Sequence, residues 1–275
     1  IFNLFFFKIF CFVLSLCNGY QYNENIAFTS INLCQASYCI NNYTWNCATC
    51  ENENKLEYII ETHGEKALMG FNDRTQNIFV AFRGSENILN WLDNIQIRKI
   101  SPYSNNTIKV EKGFYKAYQY LKPDLLNKLK ILKKSYNTNN LLITGHSLGA
   151  ALATLFAYDI LNNYSDIFLN YLITFGSPRI GNKNFVESIG DFNFNHYRVT
   201  HYYDMVPHVP QEFLDYLHIP YEIWYNEENS KYIKCADNYE SEDDLCSNSC
   251  SPFSCTSIDD HLYYLNISLG TNGLC

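Results

Sequence analysis

The chain has 275 residues, of which 47% are hydrophobic and 17% charged, enough apolar material for a full core. Its formal net charge is −8 and it carries no Lys/Arg stripe, which excludes the electrostatic footprint of a nucleic-acid-binding protein and of docking on anionic membranes. Any contact with a membrane has to be apolar.

Residues 1–16 (IFNLFFFKIFCFVLSL) form an apolar run whose single charge is Lys8. The run is shorter than the roughly 20 residues a membrane span needs. Cys17 and Gly19 supply the small residues that a signal peptidase requires at −3 and −1. The expectation is a secretory signal over 1–19, with a retained anchor as the alternative, followed by a single domain over 20–275. Export leads outside the cell or into the lumen of the secretory and endolysosomal system. Of 11 cysteines, Cys11 and Cys17 fall in the signal, which leaves nine. Cys34, Cys39, Cys47 and Cys50 cluster early; Cys235, Cys246, Cys250, Cys255 and Cys275 come late. Cysteines confined to both ends point to disulfides that pin terminal, Cys-rich segments onto a core that needs none. The odd number requires one thiol to be free or paired with another molecule. The rival reading of Cys47-x-x-Cys50 is a zinc site. Sequons at Asn42, Asn105, Asn163 and Asn266 are compatible with glycosylation on the same route.

No clear period marks the segment up to about residue 55. Ala67–Phe71 and Ile78–Phe82 then read as strands of a hairpin around the turn-forming residues 72–75. Gly113–Lys134 carries a helical stripe of Phe114, Tyr118, Leu121, Leu125, Leu129 and Leu132, with Pro123 predicting a kink or a division into two helices. Leu141–Thr144 reads as a buried parallel strand, Leu148–Leu161 as a helix, Tyr171–Phe175 as a strand, and Tyr197–Tyr203 as another. Helix and strand alternate through the middle, so the predicted class is α/β, with a mainly parallel central sheet flanked by helices.

Between that strand and helix lies Gly145-His146-Ser147-Leu148-Gly149, a G-x-S-x-G pentamer in the strand–turn–helix setting where the motif has mechanical meaning. Such a turn strains the backbone, lifts a serine hydroxyl clear of the sheet, and sets a helix N-terminus beneath a developing oxyanion. A serine alcohol needs a base, and the base needs a third group to hold its tautomer. In the α/β-hydrolase fold these follow in the order serine, acid, histidine. Asp204, at the edge of the strand that ends near Tyr203, is the candidate acid, with Asp191 and Asp215 as alternatives. His261 is the candidate base; His208 and His218 remain open. The residue after the nucleophile, Leu148, supplies one backbone oxyanion donor, and the Arg83-Gly84-Ser85 loop presents Ser85 as the second. Ile88, Leu89, Trp91 and Leu92 would give the following segment an apolar side, either a cover over the site or an ordinary packed helix.

Together, Phe82-Arg83-Gly84-Ser85 with Asn90-Trp91, the pentamer, Phe175-Gly176-Ser177-Pro178-Arg179-Ile180-Gly181-Asn182, Asp204 with Val206-Pro207, Glu222-Ile223-Trp224-Tyr225, and His261 resemble the class 3 lipases, the fungal-type triacylglycerol lipase family. The resemblance spans roughly residues 60–265. It implies an α/β-hydrolase fold, nucleophile Ser147, acid Asp204, base His261, oxyanion donors Ser85 and Leu148, and a lid at about 86–92. It further implies no metal or organic cofactor, and a lipid-ester substrate met at an oil–water or membrane interface. The family often ties its two ends together, which would suit Cys275. The 235–255 cysteines depart from the family pattern. The other functions weighed are a soluble-ester esterase, a phospholipase A1, and a catalytically dead secreted binding protein; oligomeric state is left open.

Overall fold

The computed structural model describes residues 21–95, 97–250, 254–271 and 275. The expected signal over 1–19 lies outside them. Among the described residues the first element is a helix that the sequence pattern did not announce: α1, Glu24–Cys39, capped by the Asn23 side chain, which accepts from the N–H groups of Asn25 and Ile26. Ala27, Ile31, Cys34 and Tyr38 are buried in it, and so are Thr29, Ser30, Gln35 and Ser37. A helix covered nearly all round has no apolar stripe, so no 3.6-residue period betrays it.

Eight strands form the central sheet: β1 (Asn54–Thr62), β2 (Glu65–Asn72), β3 (Asn77–Phe82), β4 (Asn140–His146), β5 (Phe168–Phe175), β6 (Asn195–His201), β7 (Glu222–Tyr225) and β8 (Tyr232–Lys234). Their order across the sheet is their order along the chain. The β2–β3 hairpin is antiparallel, in register from Ala67↔Phe82 to Asn72↔Asn77, and β1 adds to it antiparallel. From β3 to β7 every pairing is parallel; β8 closes the other edge antiparallel.

Alternation along the strands separates two cores. Ile78, Val80 and Phe82 of β3, with Leu141 and Ile143 of β4, face one side; Phe79, Ala81 and Leu142 face the other. The first side is covered by α3 (Lys112–Tyr136), α4 (Leu148–Asn163) and α5 (Lys183–Gly190). α1 and a short ribbon, Tyr263–Tyr264 with Ile267–Ser268, cover the second. The stripe expected on α3 is the buried one. α3 nevertheless runs unbroken through Pro123, which is exposed, so its ring faces solvent and not the packed stripe. Between β3 and α3 lies the short helix α2 (Ile88–Asn94).

Among the described residues four disulfides form: Cys39–Cys275, Cys47–Cys50, Cys235–Cys246 and Cys250–Cys255. The C-x-x-C pair is therefore a disulfide and not a pair of zinc ligands. The odd thiol is Cys34, free and buried, 3.2 Å from the Thr144 hydroxyl. Two buried ion pairs anchor the late Cys-rich segment to the fold. Arg179 holds Glu242 bidentately (Nε–Oε1 2.7 Å, Nη2–Oε2 2.6 Å), and Arg198 of β6 reaches Asp237 at 3.4 Å beside Glu222 at 3.1 Å.

Candidate active site

The pentamer is the turn between β4 and α4. Ser147 stands there at φ 58°, ψ −128°, a backbone state that costs a non-glycine residue about 1–3 kcal/mol and persists only where its surroundings enforce it. They do so here: the Ser147 N–H donates to the Phe175 carbonyl of the neighbouring strand at 3.0 Å.

β6 ends at His201, earlier than the sequence pattern implied, because the chain turns at Tyr202, whose φ is 35°. Asp204 lies beyond this turn and makes a parallel bridge with Ser257. Ser257 caps the one-turn helix α6 (Ile258–His261), its side chain accepting from the Asp260 N–H at 2.9 Å. That helix, and not a loop, carries His261 to the carboxylate. His261 Nδ1 sits 2.9 Å from Asp204 Oδ2 and 3.0 Å from Oδ1. The Val206 N–H donates to Oδ1 at 2.8 Å, and the Tyr264 hydroxyl donates to Oδ2. Burial works to raise the Asp204 pKa, but the adjacent His261 and these hydrogen bonds outweigh it and hold it below the ordinary carboxylate value.

Ser147, Asp204 and His261 are 1%, 2% and 0% exposed. Two atoms in this dry site have no hydrogen-bond partner among the described residues: Ser147 Oγ and His261 Nε2. Neither atom has another partner to give up, and the opposite nitrogen of the ring is fixed by a carboxylate, so the hydroxyl and Nε2 are free to meet, the contact that proton transfer requires. Gly176 is what lets Asp204 and His261 meet. It has φ +52°, and a Cβ there would lie 2.7 Å from Asp204 Oδ2 and 2.9 Å from His261 Nδ1.

The predicted oxyanion loop packs against the Ser147 turn. A Cβ on Gly84 would stand 3.1 Å from Ser147 Cβ, 2.6 Å from the His146 carbonyl and 2.1 Å from the Tyr38 hydroxyl, so Ser85 follows a residue pressed against the turn. Arg83 fixes this loop, donating to Glu86 Oε1 at 2.8 Å and to the Gly64 carbonyl at 2.7 Å. Leu148 opens α4, where the first N–H groups have no partner within the helix.

Three supporting residues escaped the sequence reading. His146, inside the pentamer, places Nε2 2.8 Å from the His261 carbonyl and Nδ1 2.8 Å from the Tyr38 hydroxyl. A carbonyl only accepts, so Nε2 carries the proton and Nδ1 accepts from Tyr38. Burial, with His261 nearby, pushes the His146 pKa down to about 3, which keeps the ring neutral. Tyr264 is the third; its only sequence signal is its place three residues after His261.

The alternatives lie elsewhere. His218 Nε2 donates to the Pro207 carbonyl at 2.8 Å, and His208 faces the Cys250 sulfur at 3.8 Å. Asp215 pairs with Lys99 at 3.0 Å, and Asp191 caps the end of α5. The segment expected to cover the site is α2, capped by Asn87 and without a fully buried residue. Trp91 is half-buried and stacks on Phe114 of α3 at 6.1 Å, and Ile88 and Leu92 are half-buried too, but Leu89 is 57% exposed. The apolar side is thus split between the protein and solvent.

A family model described as "Lipase (class 3)" matches residues 79–214. A lipase of Rhizomucor miehei is 31% identical over 261 residues, which is 91% of this chain and 70% of that protein. A Penicillium camembertii protein named secreted mono- and diacylglycerol lipase A is 30% identical over 161 residues, 58% of this chain and 52% of the relative. Among solved structures, lipase II from Rhizopus niveus superposes with a TM-score of 0.83 at 26% identity, covering 90% of this chain and 96% of that one.

Proposed function

The chain belongs to the class 3 lipase family and is an ester hydrolase of α/β-hydrolase fold, and on that premise we propose that it is an exported lipase that cleaves glycerolipid esters through Ser147, His261 and Asp204. The observation that carries the reading is the pair of unpartnered atoms, Ser147 Oγ and His261 Nε2, buried beside an imidazole whose Nδ1 rests on Asp204. His261 Nε2 takes the hydroxyl proton as Ser147 Oγ attacks the ester carbonyl carbon. Asp204 accepts from Nδ1–H throughout and stabilises the imidazolium. The backbone N–H groups of Ser85 and Leu148 bind the oxyanion, a contribution of about 2.7–4 kcal/mol per donor in related chemistry. Collapse breaks the bond to the glycerol oxygen, which leaves with the proton from His261; water then attacks the acyl-enzyme with His261 as base. The reaction needs no cofactor beyond water.

With all three residues shut from solvent, substrate entry requires a part of the surface to move, and α2 is the segment we assign to that role. Triacylglycerol is the first substrate to test, beside di- and monoacylglycerol, which the Penicillium relative's name specifies. The test is fatty-acid release from emulsified long-chain triacylglycerol by the purified protein and by Ser147→Ala. Release by the parent alone is expected. Release of acid only from a short soluble ester would leave an esterase and remove the lipid.

A further inference from the structure

A second cavity lies far from the active site. It is a cleft of about 600 Å³ between α3, α4, α5 and the 102–108 loop. Asp159 on its floor is 12 residues along α4 from Ser147, roughly 18 Å at 1.5 Å per residue. Three tyrosine rings line it edge to face: Tyr103 against Tyr158 (4.7 Å, 70°) and Tyr103 against Tyr115 (6.1 Å, 81°). The Tyr103 hydroxyl is buried without a hydrogen-bond partner among the described residues, a cost of about 1–3 kcal/mol that an entering polar group removes.

The chemistry of the cleft narrows its occupant. Asp159 already holds Lys122 Nζ at 2.6 Å and the Tyr118 hydroxyl at 2.5 Å, so the buried charges are compensated, and the further carboxylate of the lining, Asp191, is exposed to water. Asn105 and Asn162 add amides to the lining, which is too polar for an acyl chain. Aromatic rings among amides and carboxylates suit a pyranose, whose C–H face lies on a ring while its hydroxyls reach the polar groups. Two lining residues head sequons, Asn105 (Asn105-Asn106-Thr107, two residues after Tyr103) and Asn163 (Asn163-Tyr164-Ser165), but Asn163 Nδ2 is held by the Asp159 carbonyl at 3.0 Å, which leaves Asn105 as the acceptor the cleft favours. The Asn105 sequon is exposed, and Asn105 Oδ1 accepts from the Thr107 N–H at 3.0 Å and the Thr107 hydroxyl at 2.8 Å.

We propose that this cleft is a pyranose site filled by the first sugar of a glycan carried on Asn105. Attachment forms a bond from Asn105 Nδ2 to the anomeric carbon of a lipid-pyrophosphate-linked oligosaccharide. The bond from that carbon to the pyrophosphate oxygen breaks, and one amide proton is released with the lipid pyrophosphate. The proposal rests on the export reading above, not on the ester chemistry.

The full chain, secreted from a eukaryotic host, is compared with Asn105→Gln by mass of the 103–107 glycopeptide and by melting. Asn105 is expected to be occupied, and its loss to lower the melting midpoint by roughly 3 °C, the scale of one modest interaction in a chain of this size. In a Tyr103→Leu or Tyr115→Leu background the difference should vanish. Millimolar N-acetylglucosamine should raise the midpoint of Asn105→Gln and leave the parent, whose cleft is filled, unmoved. If Asn105 is bare and N-acetylglucosamine instead raises the parent's midpoint, the pyranose comes from solution: the cleft assignment stands and the glycan falls. Occupancy of Asn105 with no melting difference, or no response to sugar in an unglycosylated chain, overturns the proposal. Failure of the host to secrete the chain would count against export, while the sugar titration, run on protein purified from the cells, still decides the cleft. Ester hydrolysis, assayed separately, moves with neither.

Discussion

One carboxylate gathers three donors: His261 Nδ1, the Val206 N–H and the Tyr264 hydroxyl all meet Asp204, at 0–2% exposure. Hydrogen bonds to a charged group are worth about 1.5–3 kcal/mol each, so Tyr264 bears on how firmly Asp204 orients the base. Tyr264→Phe should lower kcat on a short soluble ester about 10-fold with KM unchanged, a loss of about 1.4 kcal/mol felt at the transition state. A variant whose KM rises while kcat holds would remove the orienting role. Ser147, Asp204 and His261 stood out as candidates in the sequence because a turn motif, the neighbourhood of a strand end and the order serine–acid–histidine each leave a local mark, although the choice of His261 over His208 and His218 leaned on the family resemblance. Tyr264 did not stand out, since its bond to Asp204 crosses 60 positions of chain and follows no period. His146 stood inside the motif, but only its two neighbours reveal its tautomer.

Among the elements, those with one dry face were legible and those without were not. The α3 stripe and the β2–β3 hairpin appear where periodicity put them, whereas α1, buried on nearly every side, presents no face to read. The end of β6 was misread by two residues because the aromatic run continues past the turn at Tyr202. α2 was legible as an apolar segment but not in its orientation, with Trp91 turned to Phe114 and Leu89 to solvent. If α2 covers the site and opens at an interface, Trp91→Ala should reduce hydrolysis of emulsified ester about 10-fold while a soluble short-chain ester is cleaved within about twofold of the parent rate. Equal losses on both substrates would make α2 an ordinary packed helix.

At the scale of the whole molecule, the Cys-rich segment is fastened by charge as well as by sulfur. Burial works to raise the Glu242 pKa, but His218 and the bidentate Arg179 hold it well below the ordinary value. A carboxyl depressed in the folded state contributes stability above its unfolded pKa of about 4.3 and loses it as pH falls below. Asp237, in the same segment, is pushed by burial up to about 6 and contributes with the opposite sign, so the parent's pH curve alone would blur the effect. The difference between parent and Glu242→Gln isolates it. The variant should be about 3–5 kcal/mol less stable at pH 7, with the gap in melting midpoint shrinking by pH 3. A gap independent of pH would mean that Glu242 acts through shape alone. The sheet has a consequence of another kind. Because its strands are laid side by side in the order in which they are translated, it can grow from one edge as the chain emerges, with the serine turn formed once β3, β4 and β5 are in place. The base belongs to the segment after β8, and the Cys39–Cys275 bond comes later still. A nascent chain that has not passed residue 261 thus holds a finished sheet and the Ser147 turn without His261, so on the function proposed above it stays inert until its last segment is made.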